Sequence, residues 1–245
     1  MYLVLLGGAI GLLGGVVGAA VEAHVSYWLG GRRERSKLRR EHYQAALRYH
    51  KTGESLRAFD LSGRDLVEVD LRNADLQRAN LCKADLSFAN LGDAVLIGAD
   101  LRKAELIATR ARGIRAMGAN LEGAKLVLAN LELADLCMGT LDRADLMNAN
   151  LRGARLLWAS LHGTNLNGAN LKGAILEEAK LNGANLSGAD LLDARLAGAE
   201  LDDSTRMPDG WESVAANKPA DEPEELSVDD TEYPNGKTGA EARLE

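Results

Sequence analysis

From Leu61 to Leu201 every fifth residue is leucine, the exceptions being Ala111 and Ala116, so 27 of 29 positions in that frame are Leu. Leu56 is in phase as well. Two residues before each frame position Ala appears 22 times in 29, and one residue before it Asp or Asn appears 17 times. The two remaining positions vary, with many Gly, Arg, Lys and Glu. A period of five fits neither the 3.6 of a helix nor the 2 of an ordinary strand. Leu and Ala two residues apart point the same way from an extended backbone, toward one interior. Aromatic residues make up only 4% of the chain, which agrees with a core built from one repeated aliphatic unit.

The unit A-[DN]-L-x-x resembles the pentapeptide-repeat family, over the stretch from near Leu56 to Leu201. That resemblance implies an all-β repeat rod, a right-handed quadrilateral (parallel) β-helix in which four pentapeptides make one square coil. Leu then stacks in the centre and Ala in the small space beside it. Coils about 4.8 Å apart pair their backbones, and about seven of them make a rod roughly 34 Å long. Bare ends expose leucine and unpaired backbone, so each end needs a cap.

Ahead of the repeat, Tyr2 to Val21 carries no charge. A helix of that length covers roughly 30 Å, the hydrocarbon thickness of a bilayer. Tyr27 and Trp28 follow as an interfacial aromatic pair, and then Arg32, Arg33, Arg35, Lys37, Arg39 and Arg40. Lys and Arg beside a span stay on the cytoplasmic side. The expectation is a single-pass cell-membrane anchor with its N-terminus outside and the repeat domain in the cytoplasm. A cleaved signal peptide is the rival, but the positive block follows the apolar run rather than preceding it. A soluble buried helix is the other, because six glycines weaken the span. Gly7, Gly11 and Gly15 recur every four residues, a spacing that lets two helices pack closely in lipid.

The expected organisation is therefore a transmembrane anchor over 1–31 and a basic amphipathic helix and N-terminal cap over 32–53. The β-helix follows over 54–203, then a C-terminal cap over 204–215 and a disordered acidic tail over 216–245. Leu38, His42, Ala45, Ala46 and Tyr49 fall on one face of the basic helix. Met207-Pro208-Asp209-Gly210-Trp211 resembles the closing segment often found after such repeats. Residues 204–245 hold eleven acids against four bases. Between Ala108 and Met117 the unit degrades to A-T-R-A-R-G-I-R-A-M, with Ile114 in an Ala slot and Ala116 in a Leu slot. Either the sizes compensate in register or a short loop bulges out. Arg102, Lys103, Arg110, Arg112 and Arg115 gather around this stretch, which reads as a solvated coil.

No motif supplies chemistry. H-x-x-x-H, C-x-x-C and H-E-x-x-H spacings are absent, so neither a metal nor another cofactor is expected. The recurrent Asp before Leu suits bonding to local turn backbone better than acid–base work. Cys82 and Cys137 read as free thiols of a reducing compartment. An enzyme is not expected.

Surface is what remains. One side of the square carries Val67, Phe88, Ile107, Val127, Leu128 and Met147 at positions read as outward. The opposite side carries Ile97, Met117, Cys137, Met138, Leu157 and Trp158, flanked by Val95 and Ile175. Stacked apolar residues on a rod make contiguous patches, and such patches mark interfaces. The expected function is a non-catalytic, membrane-tethered scaffold that binds a protein partner of unknown identity, with a homo-oligomer as one form of assembly. The alternative, drawn from quinolone-resistance members of the resembled family, is a nucleic-acid mimic that protects or inhibits a topoisomerase such as DNA gyrase. Residues 56–203 hold 21 acids and 17 bases with basic residues in mid-rod, a poor match to the acidic surface mimicry needs. Nucleic acid itself is not an expected partner.

Overall fold

A computed structural model describes residues 55–211 of the chain. The anchor with Gly7, Gly11 and Gly15, the basic helix and the acidic tail lie outside the described residues. Among those described, no helix is long and apolar enough to cross a membrane.

Each pentapeptide repeats one conformation. The Leu carbonyl accepts the N–H of the residue three positions on, as in Ala84 N to Leu81 O at 3.0 Å, which closes a tight turn. The second residue after the frame position has positive φ in every repeat from Ala58 (57°) to Gly198 (69°). A β-turn with a left-handed third residue is of type II. The residue before each Leu forms the parallel bridge to the next coil. Bridges join residues twenty apart, starting from Asp60, Asp65, Asp70 and Asp75, so four pentapeptides make one turn and the coil has four faces. Between coils, the Leu N–H donates upward and the N–H of the bridging residue donates downward, as in Leu81 N to Asp100 O (2.7 Å) and Asp100 N to Ala79 O (3.0 Å).

The recurrent Asp and Asn act on their own turns. Asp85 Oδ1 accepts the Ser87 N–H at 3.1 Å, and Asn120 Oδ1 accepts that of Glu122 at 3.0 Å. The same side chains also link coils, as where Asn165 Nδ2 donates to Asp145 Oδ1 at 2.8 Å. Leucines line the interior and alanines fill the narrower space beside them. Where Thr replaces Ala, its hydroxyl reaches a carbonyl of the coil before. Thr109 donates to Leu86 O at 2.8 Å and Thr164 to Leu141 O at 2.7 Å.

The degraded stretch stays in register. Asn90, Arg110 and Asn130 bridge in series, as do Val95, Arg115 and Asp135, so no loop bulges out. Ile114, Ala111 and Ala116 are all buried. A small void of about 10 Å³ remains between Ile114, Ala116 and the surrounding leucines. The last bridge, Asn185 to Arg206, spans one extra residue. The Asp202–Thr205 turn takes up that residue: Asp202 Oδ1 accepts the Ser204 N–H at 3.1 Å and the Gly183 N–H at 2.9 Å. Gly210, at φ 76°, and the helical Trp211 are the last described residues.

Candidate interaction surface

Polar groups on the coil serve the coil. Among the described residues no group of three or more His, Cys, Asp or Glu could hold a metal ion. Ser160, Asp142 and His162 do meet, but Asp142 Oδ1 takes the Ser160 hydroxyl at 2.6 Å and the backbone N–H of His162 at 3.1 Å. In that arrangement the hydroxyl faces a carboxylate and the imidazole does not link the two, so it is not the relay of a nucleophile. Cys137 is buried, which pushes its thiol up to about 12, and the neighbouring Asp135 carboxylate adds to the effect. A thiol held that high is inert at neutral pH.

The two turn positions differ in what they offer. Val67, Ile107, Val127 and Cys137, read from sequence as outward, are buried, at 5%, 0%, 0% and 3% exposure. They occupy the first position after Leu, where side chains one coil apart stack on each other. Val67, Ile107 and Val127 therefore belong to the core and leave the list of contact residues. Among the described coils no residue at the second, left-handed position is buried. Met138 and Trp158 stand there, exposed at 39% and 42%, one coil apart. Ile97, Met117 and Leu157 at the first position of the same corner are half-buried, as are Phe88, Leu128 and Met147 on the opposite side. Leu133 and Leu192, also exposed, were missed because they stand alone in otherwise polar columns. Their place in the frame, at the second and first turn positions, was the available signal.

Charges sort by coil. Arg102, Lys103, Arg110, Arg112 and Arg115 fall within a single coil, so they girdle the rod instead of forming one patch. Arg102 donates Nε and Nη2 to Asp100 at 2.9 and 2.7 Å, and these bonds hold the Asp100 carboxyl below its usual range. Burial has the opposite effect on Asp85 and raises it. Two stacks lie beside the Met138 corner. Glu132 stands between Arg112 (3.7 Å) and Arg152 (3.2 Å), and the backbone of Asp135 lies between those of Arg115 and Arg155, with Arg155 Nη1 3.5 Å from its carboxylate.

The sequence profile described as "Pentapeptide repeats" matches the chain in eight copies, over residues 55–87, 83–115, 117–153, 140–177 and 167–205. No curated protein sequence matches. Similar solved structures include HetL, a pentapeptide repeat protein involved in heterocyst differentiation regulation from the cyanobacterium Nostoc sp. strain PCC 7120. It is 31% identical, with a TM-score of 0.40 and coverage of 67% of this chain and 96% of that one. The pentapeptide repeat protein alr5209, also from Nostoc, is 38% identical over 40% of this chain and 80% of its own, with a TM-score of 0.39. QnrB1, a plasmid-mediated fluoroquinolone resistance protein, is 26% identical over 59% of this chain and 78% of its own, with a TM-score of 0.32. With the five-residue frame, the twenty-residue bridging period and the profile match over more than half its length, the chain belongs to the pentapeptide-repeat family, whose fold is the right-handed quadrilateral β-helix.

Proposed function

We propose that the protein is a non-catalytic interaction scaffold, tethered to the cell membrane by its N-terminal segment with the repeat rod in the cytoplasm. The observation that carries the reading is the set of large apolar residues at left-handed turn positions. Phe88, Leu128, Leu133, Met138 and Trp158 hold φ between 56° and 60°. A non-glycine residue there costs about 1 kcal/mol, and glycine fills the same position in many repeats. Leu133, Met138 and Trp158 add exposure to that cost. Residues that are unfavourable on both counts for folding are well explained by a partner. Tethering draws on the uncharged Tyr2–Val21 run and the Lys/Arg block behind it. Self-association through Gly7, Gly11 and Gly15 would add to binding by raising effective concentration.

The topoisomerase-mimic alternative gains no support, because the girdle of Arg and Lys interrupts the acidic surface such mimicry requires. The reading is tested by fractionation and capture together. The full-length chain should stay in membranes through alkaline carbonate, and capture from solubilised membranes should recover a protein that Trp158→Glu loses. Release by carbonate sinks the tether, and equal capture by both forms sinks the apolar corner. Recovery of a topoisomerase would restore the mimic.

A further inference from the structure

The face between the Leu133 and Met138 turns has a charge pattern that narrows the kind of partner. It rests on the interaction reading above. Across this face the residues of three successive coils align in columns. Arg112, Glu132 and Arg152 form one, with the Glu132 carboxylate paired to both guanidinium groups, and Arg115, Asp135 and Arg155 another, in which Asp135 pairs with Arg155 alone. Four arginines thus stand beside two carboxylates, on a chain whose net charge is −7, and the Arg115 guanidinium pairs with neither of them. The guanidinium side chains are open to solvent, at 63% for Arg112, 61% for Arg152 and 57% for Arg155. Leu133, 54% exposed, stands between the two columns. Gly113 and Gly153 lie one coil to either side of it, so no side chain walls off the leucine along the rod axis. Met138 and Trp158 border the same face.

We propose that this face docks an acidic amphipathic helix of a partner protein, with apolar side chains on Leu133 and Met138 and carboxylates on the framing arginines. The surplus positive charge asks for anionic groups, and guanidinium pairs carboxylate bidentately. The leucine and methionine between the charges ask for an apolar surface beside those anions. An extended polyanion offers no such surface and meets repulsion from the acids on the rest of the rod. Arg112 and Arg152 are two coils apart, about 10 Å along the axis. Two helical turns cover about 11 Å, so a helix along the rod presents carboxylates seven residues apart at matching intervals.

The test is selection of a displayed library of random eighteen-residue peptides on the full-length chain in detergent. Enriched peptides should carry acids beside an apolar stripe. The consensus peptide should bind at least tenfold more weakly to Arg115→Ala/Arg155→Ala and to Leu133→Ser, and unchanged to Arg143→Ala on another corner. Unaltered circular dichroism of each variant excludes misfolding as the cause. Enrichment without acidic excess, no enrichment, or equal loss at Arg143 overturns the proposal. Tighter binding of a twelve-nucleotide single-stranded RNA or of phosphatidylserine vesicles overturns it too, in favour of nucleic acid or lipid. If a protein is captured from membranes while this face proves indifferent, the interaction reading stands and only the acidic helix fails.

Discussion

Ile114 and Ala116 exchange sizes within one pentapeptide: the isoleucine fills a slot that elsewhere holds Ala, and the alanine fills one that elsewhere holds Leu. Neither residue is more than 6% exposed, and the void left beside them is about 10 Å³. That space is too small for the three carbons a leucine adds. Ala116→Leu alone should therefore overpack and cost about 1–3 kcal/mol. Ile114→Ala alone should cost about 2–4 kcal/mol through the cavity it opens. The double change restores the regular unit and should lie within about 1 kcal/mol of wild type. A denaturant cycle measures the coupling, and additive single effects would show that the two slots do not share space.

The frame also separates neighbours in sequence. Leu151 is fully buried, whereas the side chain of Arg152 is 61% exposed. Leu151→Lys places an unpaired charge inside the stack and should cost several kcal/mol. Arg152→Ala loses one surface ion pair and should shift stability by no more than about 0.5 kcal/mol. Chemical denaturation of the two variants checks the difference, and equal losses would overturn the frame.

How much of this was legible in the sequence depends on which contacts set each feature. Leucine and alanine positions follow from the five-residue period alone, but the period left open whether the stretch from Ala108 to Met117 kept register or bulged out, because that depends on how Ile114 and Ala116 pack in the coil. Burial at the first turn position could not be read either, because it depends on side chains twenty residues away. Val127 is fully buried while adjacent Leu128 is only half-buried, although both looked equivalent as apolar residues after Leu126. The two Arg–acid–Arg columns follow the same twenty-residue spacing that groups the apolar residues, so their alignment was legible, whereas which guanidinium reaches which carboxylate was not.

The cysteines differ in a way that bears on any topology experiment. Cys137 is buried and Cys82 half-buried. A membrane-impermeant maleimide should label Cys82 at least tenfold faster than Cys137 in the folded protein, and the two rates should converge in denaturant. Comparable rates in the native state would mean that the Cys137 coil opens. Only Cys82 is a usable reporter of which side of a membrane the rod occupies.

Two aspartates should respond to acid with opposite sign. Asp202 accepts hydrogen bonds from Ser204 and from the Gly183 N–H, and these hold its carboxyl at about 2. A lowered folded value means that its stabilisation is present above the ordinary value and lost as pH falls toward about 2. Asp202→Asn should therefore be destabilising at neutral pH and indistinguishable from wild type near pH 2. Asp85 is raised by burial, so its charged form is disfavoured in the coil and acidification relieves the penalty. Asp85→Asn keeps an oxygen for the Ser87 N–H and should raise the melting temperature at pH 7, with the advantage shrinking in acid. Melting curves across pH measure both, and parallel behaviour of the two variants would contradict the assignment.

Leu133 also leaves a mark on stability, through the glycine of the next coil. Gly153 sits at φ 63°, and a Cβ there would come within 2.9 Å of Leu133 Cδ2. At Gly173, φ 66°, a Cβ would have no atom within 4 Å. Alanine at either site should pay about 1–2 kcal/mol for the left-handed backbone. Gly153→Ala must in addition turn the tip of the exposed leucine aside, a small further cost. It should therefore be the more destabilising of the two, and adding Leu133→Ala should bring it level with Gly173→Ala. Because Leu133 is exposed, its own truncation removes little buried area, so the comparison isolates the contact. Denaturation midpoints that are equal for the two glycine variants, or unmoved by Leu133→Ala, would show that Leu133 does not lean over Gly153.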